Sequence, residues 1–211
     1  KFKFVFINLP TVNIIVADEI PNEPHILGKM VVNYPEVTSN SLESYIGVEI
    51  RGKYSAGLRK KSYGIKPLGS KNIKNVVKKS FFEEMKPNNK WSLDGMYADA
   101  SKLRNQVSFD LWNTISDVTI KAQYVEVYIN TKSMGLYRFG ENYTPSFLEL
   151  TNEARLYTGI DNTAVTKFEE LPPKKPQSAL WKEWKQIYPN PSQEIEWEAF
   201  YHLSKLVVES S

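Results

Sequence analysis

Short segments of this chain alternate apolar and polar residues with a period of two, and they come in neighbouring pairs. A strand with one buried face produces this alternation. Tyr45 to Arg51 is the clearest case, and Lys60 to Lys66 follows it after a turn of small residues, so together they predict a β-hairpin. Tyr124 to Ile129 and Gly135 to Phe139 predict a second one. Since strands and helices do not alternate regularly, we predict an α+β fold with an antiparallel sheet.

The strongest helix pattern follows Asp99 or Ser101, either of which can serve as an N-cap. Apolar residues recur there at four-residue spacing, and we expect this helix to pack on the sheet; the stripe consists of Leu103, Val107, Leu111 and Ile115. Further strands are predicted within Phe4 to Val16, hinged at Pro10, and at Lys29 to Tyr34. Shorter helices are predicted near Val76 to Met85, Pro145 to Leu150, Ser178 to Ile187 and Ile195 to Val208. We interpret the whole as one domain, sheet-rich over residues 1–143 and helical over residues 144–211.

Composition excludes several classes of protein. With 211 residues and 41% hydrophobic residues, the chain is long enough to bury a core and is too apolar for a disordered segment. It has no Cys and two His, His25 and His202, so a thiol nucleophile or a zinc site is not expected. A net charge of +3 is too small for a dedicated nucleic-acid binder, even with the lysines between Lys71 and Lys79. The first apolar run, Phe2 to Leu9, is too short to span a membrane. Because the chain begins at Lys1, we interpret it as trimmed or mature.

Standard catalytic motifs are absent or incomplete. Gly47 to Tyr54 has the spacing of a phosphate-binding P-loop, but Tyr54 occupies the position that requires Ser or Thr, and the segment has the pattern of a strand. The signatures of ordinary protein kinases are missing. Asn142-Tyr-Thr144 fits a glycosylation acceptor, a short pattern that arises readily by chance.

Several segments, in order, nevertheless resemble one family, the CotH kinase family, which is named for a spore coat protein. A hairpin of that family is similar to Ile50-Arg51-Gly52 with Lys60-Lys61-Ser62-Tyr63 and Ile65-Lys66. The start of its helix is similar to Trp91-Ser-Leu93 with Asp99 to Asn105. Its next hairpin is similar to Tyr124 to Asn130 with Gly135-Leu-Tyr137 and Glu141. The resemblance runs from about Leu9 to the end of the chain.

The resemblance implies a fold like the N-lobe of a protein kinase, followed by helices. It also implies transfer of the γ-phosphoryl group of ATP, with Mg²⁺ or Mn²⁺, to Ser residues of coat or other extracytoplasmic proteins. By that analogy Lys61 contacts the phosphates, Arg104 and Asn105 lie near the nucleotide on the helix, and Glu141 lines the adenine end together with Asn142 and Tyr143.

Two expectations qualify this hypothesis. The catalytic Asp and metal-binding motifs of the family follow the helix that corresponds to Trp197 to Val208, so we expect the domain to be incomplete at its C-terminus and this chain not to turn over ATP. The alternative is a non-catalytic module of the cell envelope that binds protein or glycan, for which the five Trp would supply stacking surfaces.

Overall fold

The computed structural model describes residues 8–35, 41–160, 171–172 and 178–209. They form two compact units, Lys1–Phe147 and Leu148–Ser211. The first unit contains β1 (Thr11–Val16), β2 (Ile26–Asn33), β3 (Ser41–Arg51), α1 (Tyr54–Gly57), β4 (Ser62–Leu68), β5 (Trp91–Asp94), α2 (Arg104–Trp112), β6 (Ala122–Ile129) and β7 (Lys132–Glu141). The second contains β8 (Leu156–Gly159), β9 (Leu180–Trp181), β10 (Trp184–Tyr188) and α3 (Glu198–Glu209).

The first unit is a closed barrel with the strand order β1-β2-β3-β4-β5-β7-β6. Neighbours are antiparallel except at the closure, where β1 runs parallel to β6 with Thr11 opposite Glu126. Asn130, in the turn after β6, secures this closure: its side-chain amide accepts from the Val16 N–H at 3.0 Å and donates to the Val16 carbonyl at 2.9 Å. The amide thereby extends the backbone ladder past the end of the strand.

Alternation along each strand sends one set of side chains into the barrel. The fully buried members include Ile14, Met30, Ile46, Ile65, Trp91, Leu93, Tyr137 and Phe139. Phe81 and Met85, from the long connection between β4 and β5, complete this core. The core is therefore formed by the strands closing on themselves, and no helix is needed to cover their apolar faces.

The predicted α+β fold with a helix packed on an open antiparallel sheet is wrong. The sheet closes into a barrel, and α2 has no buried residue. Its predicted stripe faces solvent, with exposures of 53% for Leu103, 60% for Val107, 66% for Leu111 and 71% for Ile115. The hairpins β3–β4 and β6–β7 agree with the predicted pairs of strands.

Three of the shorter helices are also wrong. Residues 76–85 form no helix and are tied to the barrel by an isolated bridge between Leu68 and Val76. Residues 145–149 form turns, and residues 180–188 form the hairpin β9–β10, in which Trp181 pairs with Trp184. The predicted C-terminal helix is present as α3. The part of the first predicted strand before residue 8 lies outside the described residues.

The second unit has a three-stranded sheet of order β8-β10-β9 and the helix α3. Its core is aromatic: the Tyr157 and Trp197 rings stack at 5.2 Å, and the Phe200 and Trp184 rings lie 4.6 Å apart. Gln186 is fully buried and donates to the carbonyls of Pro189 and Glu194, which fixes the loop before α3.

Candidate functional site

A row of small residues crosses the outer face of three neighbouring barrel strands, β4, β5 and β7. Register pairs Glu49 of β3 with Gly64 of β4, Gly64 with Ser92 of β5, and Ser92 with Gly140 of β7. These positions alternate with the inward core residues, so they lie on the outside of the barrel wall. Because these residues are two glycines and a serine, the outer surface of the barrel forms a shallow depression here between larger side chains. A Cβ at Gly140 would approach the Ala122 Cβ to 3.2 Å, so Gly140 packs closely against the neighbouring strand β6.

A polar cleft of about 330 Å³ lies beside this row. Its lining is dominated by polar and charged side chains: Arg51, Ser55, Ser62, Ser92, Asp94, Arg138, Glu141 and Asn142, with Phe109 and Ile120 as the large apolar members. Three of the charged residues lie two positions from this row on its cleft side. Arg51 follows Glu49 and Asp94 follows Ser92, whereas Arg138 precedes Gly140 because β7 is antiparallel to β5. The barrel therefore brings two guanidinium groups and a carboxylate to one opening.

Helix α2 positions Arg138. Gln106 Oε1 accepts a hydrogen bond from Arg138 Nε at 3.1 Å, and the guanidinium carbon lies 4.6 Å from the centre of the Phe109 ring. Asn105 donates to Asp94 Oδ2 at 3.2 Å. The helix thus directs polar and aromatic contacts at the cleft.

Two guanidinium groups, of Arg51 and Arg138, and two carboxylates, of Asp94 and Glu141, line the cleft. Burial lowers the pKa of Arg51 and of Arg138, and the negative charge of Asp94 offsets part of that effect for both. Each guanidinium remains charged at neutral pH because the pKa of Arg lies so high. Charged guanidinium groups donate strong hydrogen bonds to anionic ligands.

Two buried donors at the cleft have no hydrogen-bond partner among the described residues. They are Arg138 Nη2 and Asn142 Nδ2. Arg138 is only 5% exposed. The Asn142 amide also carries an acceptor, Oδ1, which accepts a hydrogen bond from Arg51 Nη1 at 3.2 Å. Unpaired buried donors are costly, so their presence in a cleft indicates a ligand that accepts hydrogen bonds.

A second group of cations lies on the other side of the small row. Lys66 of β4 lies two residues after Gly64, and Lys90, just before β5, lies two residues before Ser92. Burial lowers the pKa of Lys90, and the charges of Arg51 and Lys66 lower it further. Glu49 lies between the groups, and its carboxylate is 2.6 Å from His25 Nδ1. Burial also raises the pKa of Glu49. The small row is therefore flanked by cations on both sides.

The four predicted site residues are in different settings. Glu141 lines the cleft, but its carboxylate is held by the backbone N–H groups of Lys86 at 2.6 Å and Lys121 at 2.7 Å. Asn105 reaches the cleft through Asp94. Lys61 does not line it, and its Nζ donates to the Ala56 carbonyl at 2.7 Å. The Arg104 side chain is 79% exposed and lies 3.8 Å from Asp99.

Sequence reasoning missed Arg51, Asp94 and Arg138. One signal was available, since Arg138 lies between Tyr137 and Phe139 in a strand whose apolar residues point inward. A charge at the outward position of such a strand is ordinary, and only the fold shows that it meets α2. Asn142 begins the segment that fits a glycosylation acceptor in the sequence. Its side-chain amide is buried and bonded to Arg51, which leaves no access for a glycan.

Comparison with known proteins agrees with the motif order in the sequence. A sequence model of one family, described as CotH kinase protein, matches residues 48–209. The matched range includes every residue that lines the cleft. A search of curated proteins finds no match. No described helix is long and apolar enough to cross a membrane. The described residues contain no cluster of three or more His, Asp or Glu suited to a metal ion.

Proposed function

Because the chain belongs to the CotH kinase family, we propose that its cleft binds the phosphates of ATP for phosphoryl transfer to Ser residues of coat or other extracytoplasmic proteins. The observation that carries this proposal is the pair of unpartnered buried donors at the cleft, Arg138 Nη2 and Asn142 Nδ2. Guanidinium and amide N–H groups are the donors that phosphate oxygens accept most strongly.

Each part of the site has a role in this proposal. Arg51 and Arg138 neutralise phosphate charge, and Asn142 donates a further hydrogen bond. Lys66 and Lys90 supply positive charge across the small row, whose missing side chains leave room for the ligand. Gln106 orients Arg138, and its role is positioning.

The residues also fit a nucleotide-bound Mg²⁺ or Mn²⁺. Such an ion usually takes one or two protein carboxylates and completes its shell with phosphate oxygens and water. Asp94 would hold it through Oδ2, which accepts one hydrogen bond, from Asn105 at 3.2 Å. When bound, the ion neutralises charge that develops during phosphoryl transfer.

Titration calorimetry with ATP and Mg²⁺ tests the proposal. We expect affinity in the micromolar range, with ATP binding more tightly than AMP because the phosphates provide most of the contacts. Arg138→Gln and Arg51→Gln should each weaken ATP binding by roughly tenfold or more, since each removes a charge-assisted hydrogen bond. Arg59→Gln is the matched control, because Arg59 is exposed and does not line the cleft.

Circular dichroism should first establish that each variant is folded. Equal ATP affinity in wild type and both cleft variants, or no heat at millimolar ATP, would contradict the proposal; the second result would favour the non-catalytic binding module. Lys61→Ala in the same series tests the phosphate contact predicted from the family resemblance. A radiolabelled-phosphate assay tests the further prediction that this chain alone does not phosphorylate Ser.

A further inference from the structure

Positive charge is concentrated in one part of the chain. Residues 50–82 contain ten Lys and Arg and no Asp or Glu, whereas the remainder has 17 basic and 24 acidic residues. Some of these cations belong to the cleft, as Arg51 and Lys66 do. The others include four lysines in the loop of residues 69–80 after β4, which we call the basic loop.

The basic loop is held against the barrel in a defined conformation. The Gly69 N–H donates to the Asn75 carbonyl at 2.9 Å, and the Val77 N–H donates to the Pro67 carbonyl at 3.0 Å. The Nζ of Lys79 turns to the Glu43 carbonyl at 2.6 Å. The other three lysines are exposed and form no ion pair with a described residue; they are Lys71, Lys74 and Lys78.

An apolar patch adjoins these lysines. We define the apolar patch by five exposed side chains: Ile15 at 53%, Leu27 at 40%, Tyr45 at 36%, Ile73 at 37% and Val76 at 39%. Strand register makes them neighbours, because Lys29 is opposite both Ile15 and Tyr45, and Leu27 is opposite Gly47. Ile73 lies over Gly47, where an added Cβ would come within 3.0 Å of Ile73 Cδ1.

Lysines and apolar side chains therefore share one surface. Lys71 Nζ lies 5.8 Å from the centre of the Tyr45 ring, and Lys29 emerges between Ile15 and Tyr45. Glu43 is its acidic member and is paired with Lys29 at 2.7 Å. The unpaired charge on this surface is positive.

We propose that the basic loop and the apolar patch together form a docking surface for a membrane that contains anionic lipid. A bilayer interface accepts both features at once, since the headgroups neutralise Lys while aliphatic and Tyr side chains enter the boundary with the acyl chains. A purely acidic peptide would satisfy the lysines but would offer Ile73 and Val76 no apolar partner. This surface uses none of the residues that line the cleft, so the inference does not depend on ATP binding.

Co-sedimentation of the full chain with lipid vesicles tests this proposal. We expect binding to mixed phosphatidylcholine and phosphatidylglycerol vesicles, little binding to phosphatidylcholine alone, and weaker binding as salt is raised. Each lysine near an anionic surface strengthens binding about fivefold, so replacing Lys71, Lys74 and Lys78 together by Gln should weaken it about a hundredfold. The matched control replaces Lys132, Lys185 and Lys205 by Gln, which removes the same charge from exposed positions elsewhere.

A second variant separates the apolar contribution from charge. Ile73→Ser with Val76→Ser keeps every lysine and should also reduce sedimentation with the anionic vesicles. No sedimentation of the wild type, or equal losses in the two triple-Gln variants, would overturn the proposal. Binding of a poly-glutamate peptide without binding to vesicles would overturn it as well, because the surface would then be a site for acidic protein.

Discussion

The two longer helices carry apolar residues at helical spacing, yet they are held in opposite ways. In α3, Phe200 is buried against four aromatic rings of the second unit. In α2 no residue is buried, and the helix is held by contacts that Gln106 and Phe109 make with the guanidinium group of Arg138. The difference teaches that apolar spacing does not by itself identify the packed face. A buried cation needs partners, and the residues of α2 that face the barrel, Gln106 and Phe109, are the partners of Arg138.

The aromatic anchoring of α3 should give the largest effect. Phe200→Ala removes a ring from a closely packed cluster and should destabilise the second unit by about 3–5 kcal/mol. Urea unfolding followed by Trp fluorescence measures this, since Trp181, Trp184 and Trp197 all contact Phe200. Leu203→Ala on the exposed side of the same helix is the control. Equal losses in the two variants would show that α3 is not anchored through Phe200.

The polar anchoring of α2 should give an intermediate effect. Gln106→Ala leaves Arg138 Nε without its acceptor and should cost about 1–3 kcal/mol, the usual penalty for an unsatisfied buried donor. Hydrogen exchange of the α2 amides and urea unfolding of the full chain report the loss. Gln106→Glu keeps an acceptor at this position and should retain most of the stability. If Gln106→Ala were neutral, the hydrogen bond between Gln106 and Arg138 would not be what holds the helix.

Local patterns predicted much of the barrel but not its closure. Period-two alternation identified β3, β6 and β7, because each has one face in the core. Closure depends on the parallel pairing of β1 with β6, whose residues lie more than a hundred positions apart, and no local pattern encodes that register. The spacing of Trp181 and Trp184 fits a helix or a two-residue hairpin equally well, and the hairpin forms.

The candidate site was less accessible to sequence reasoning for a related reason. Glu141 and Asn105 were selected by resemblance, and both reach the cleft, the latter through Asp94. Arg51 and Arg138 come from β3 and β7, strands that are not neighbours in the barrel. Their joint contribution to one opening is a property of strand order, which becomes visible only when the strands are assembled.

A pH-dependent effect is expected at the start of α2. The Ser101 hydroxyl, which donates to Asp99 Oδ1 at 2.7 Å, lowers the pKa of Asp99 below its ordinary value of 3.8, and the N–H of Arg104 adds to this through Oδ2. Since the pKa is lower in the folded state, the stabilisation is complete above the ordinary value and is lost as the pH falls through the lowered one.

Amide exchange measured across this acidic range should therefore show the first turn of α2 opening before α3 does. Asp99→Asn should remove most of that pH dependence, because the amide can still accept from the Arg104 N–H but has no charge to titrate. An unchanged profile in Asp99→Asn would mean that another group controls the opening.

The smallest effect is expected on the stripe of α2 that looks most like a core in the sequence. Leu111 is 66% exposed, so Leu111→Ala exposes no cavity and should change stability by no more than about 0.5 kcal/mol. The result should be the same at low and high protein concentration. A loss of about 2–5 kcal/mol, typical of a buried Leu, would contradict the exposed position of the stripe. If such a loss grew with protein concentration, a second copy of the chain would be covering the stripe; if it did not, the helix would pack through its apolar face, as the sequence alone predicts.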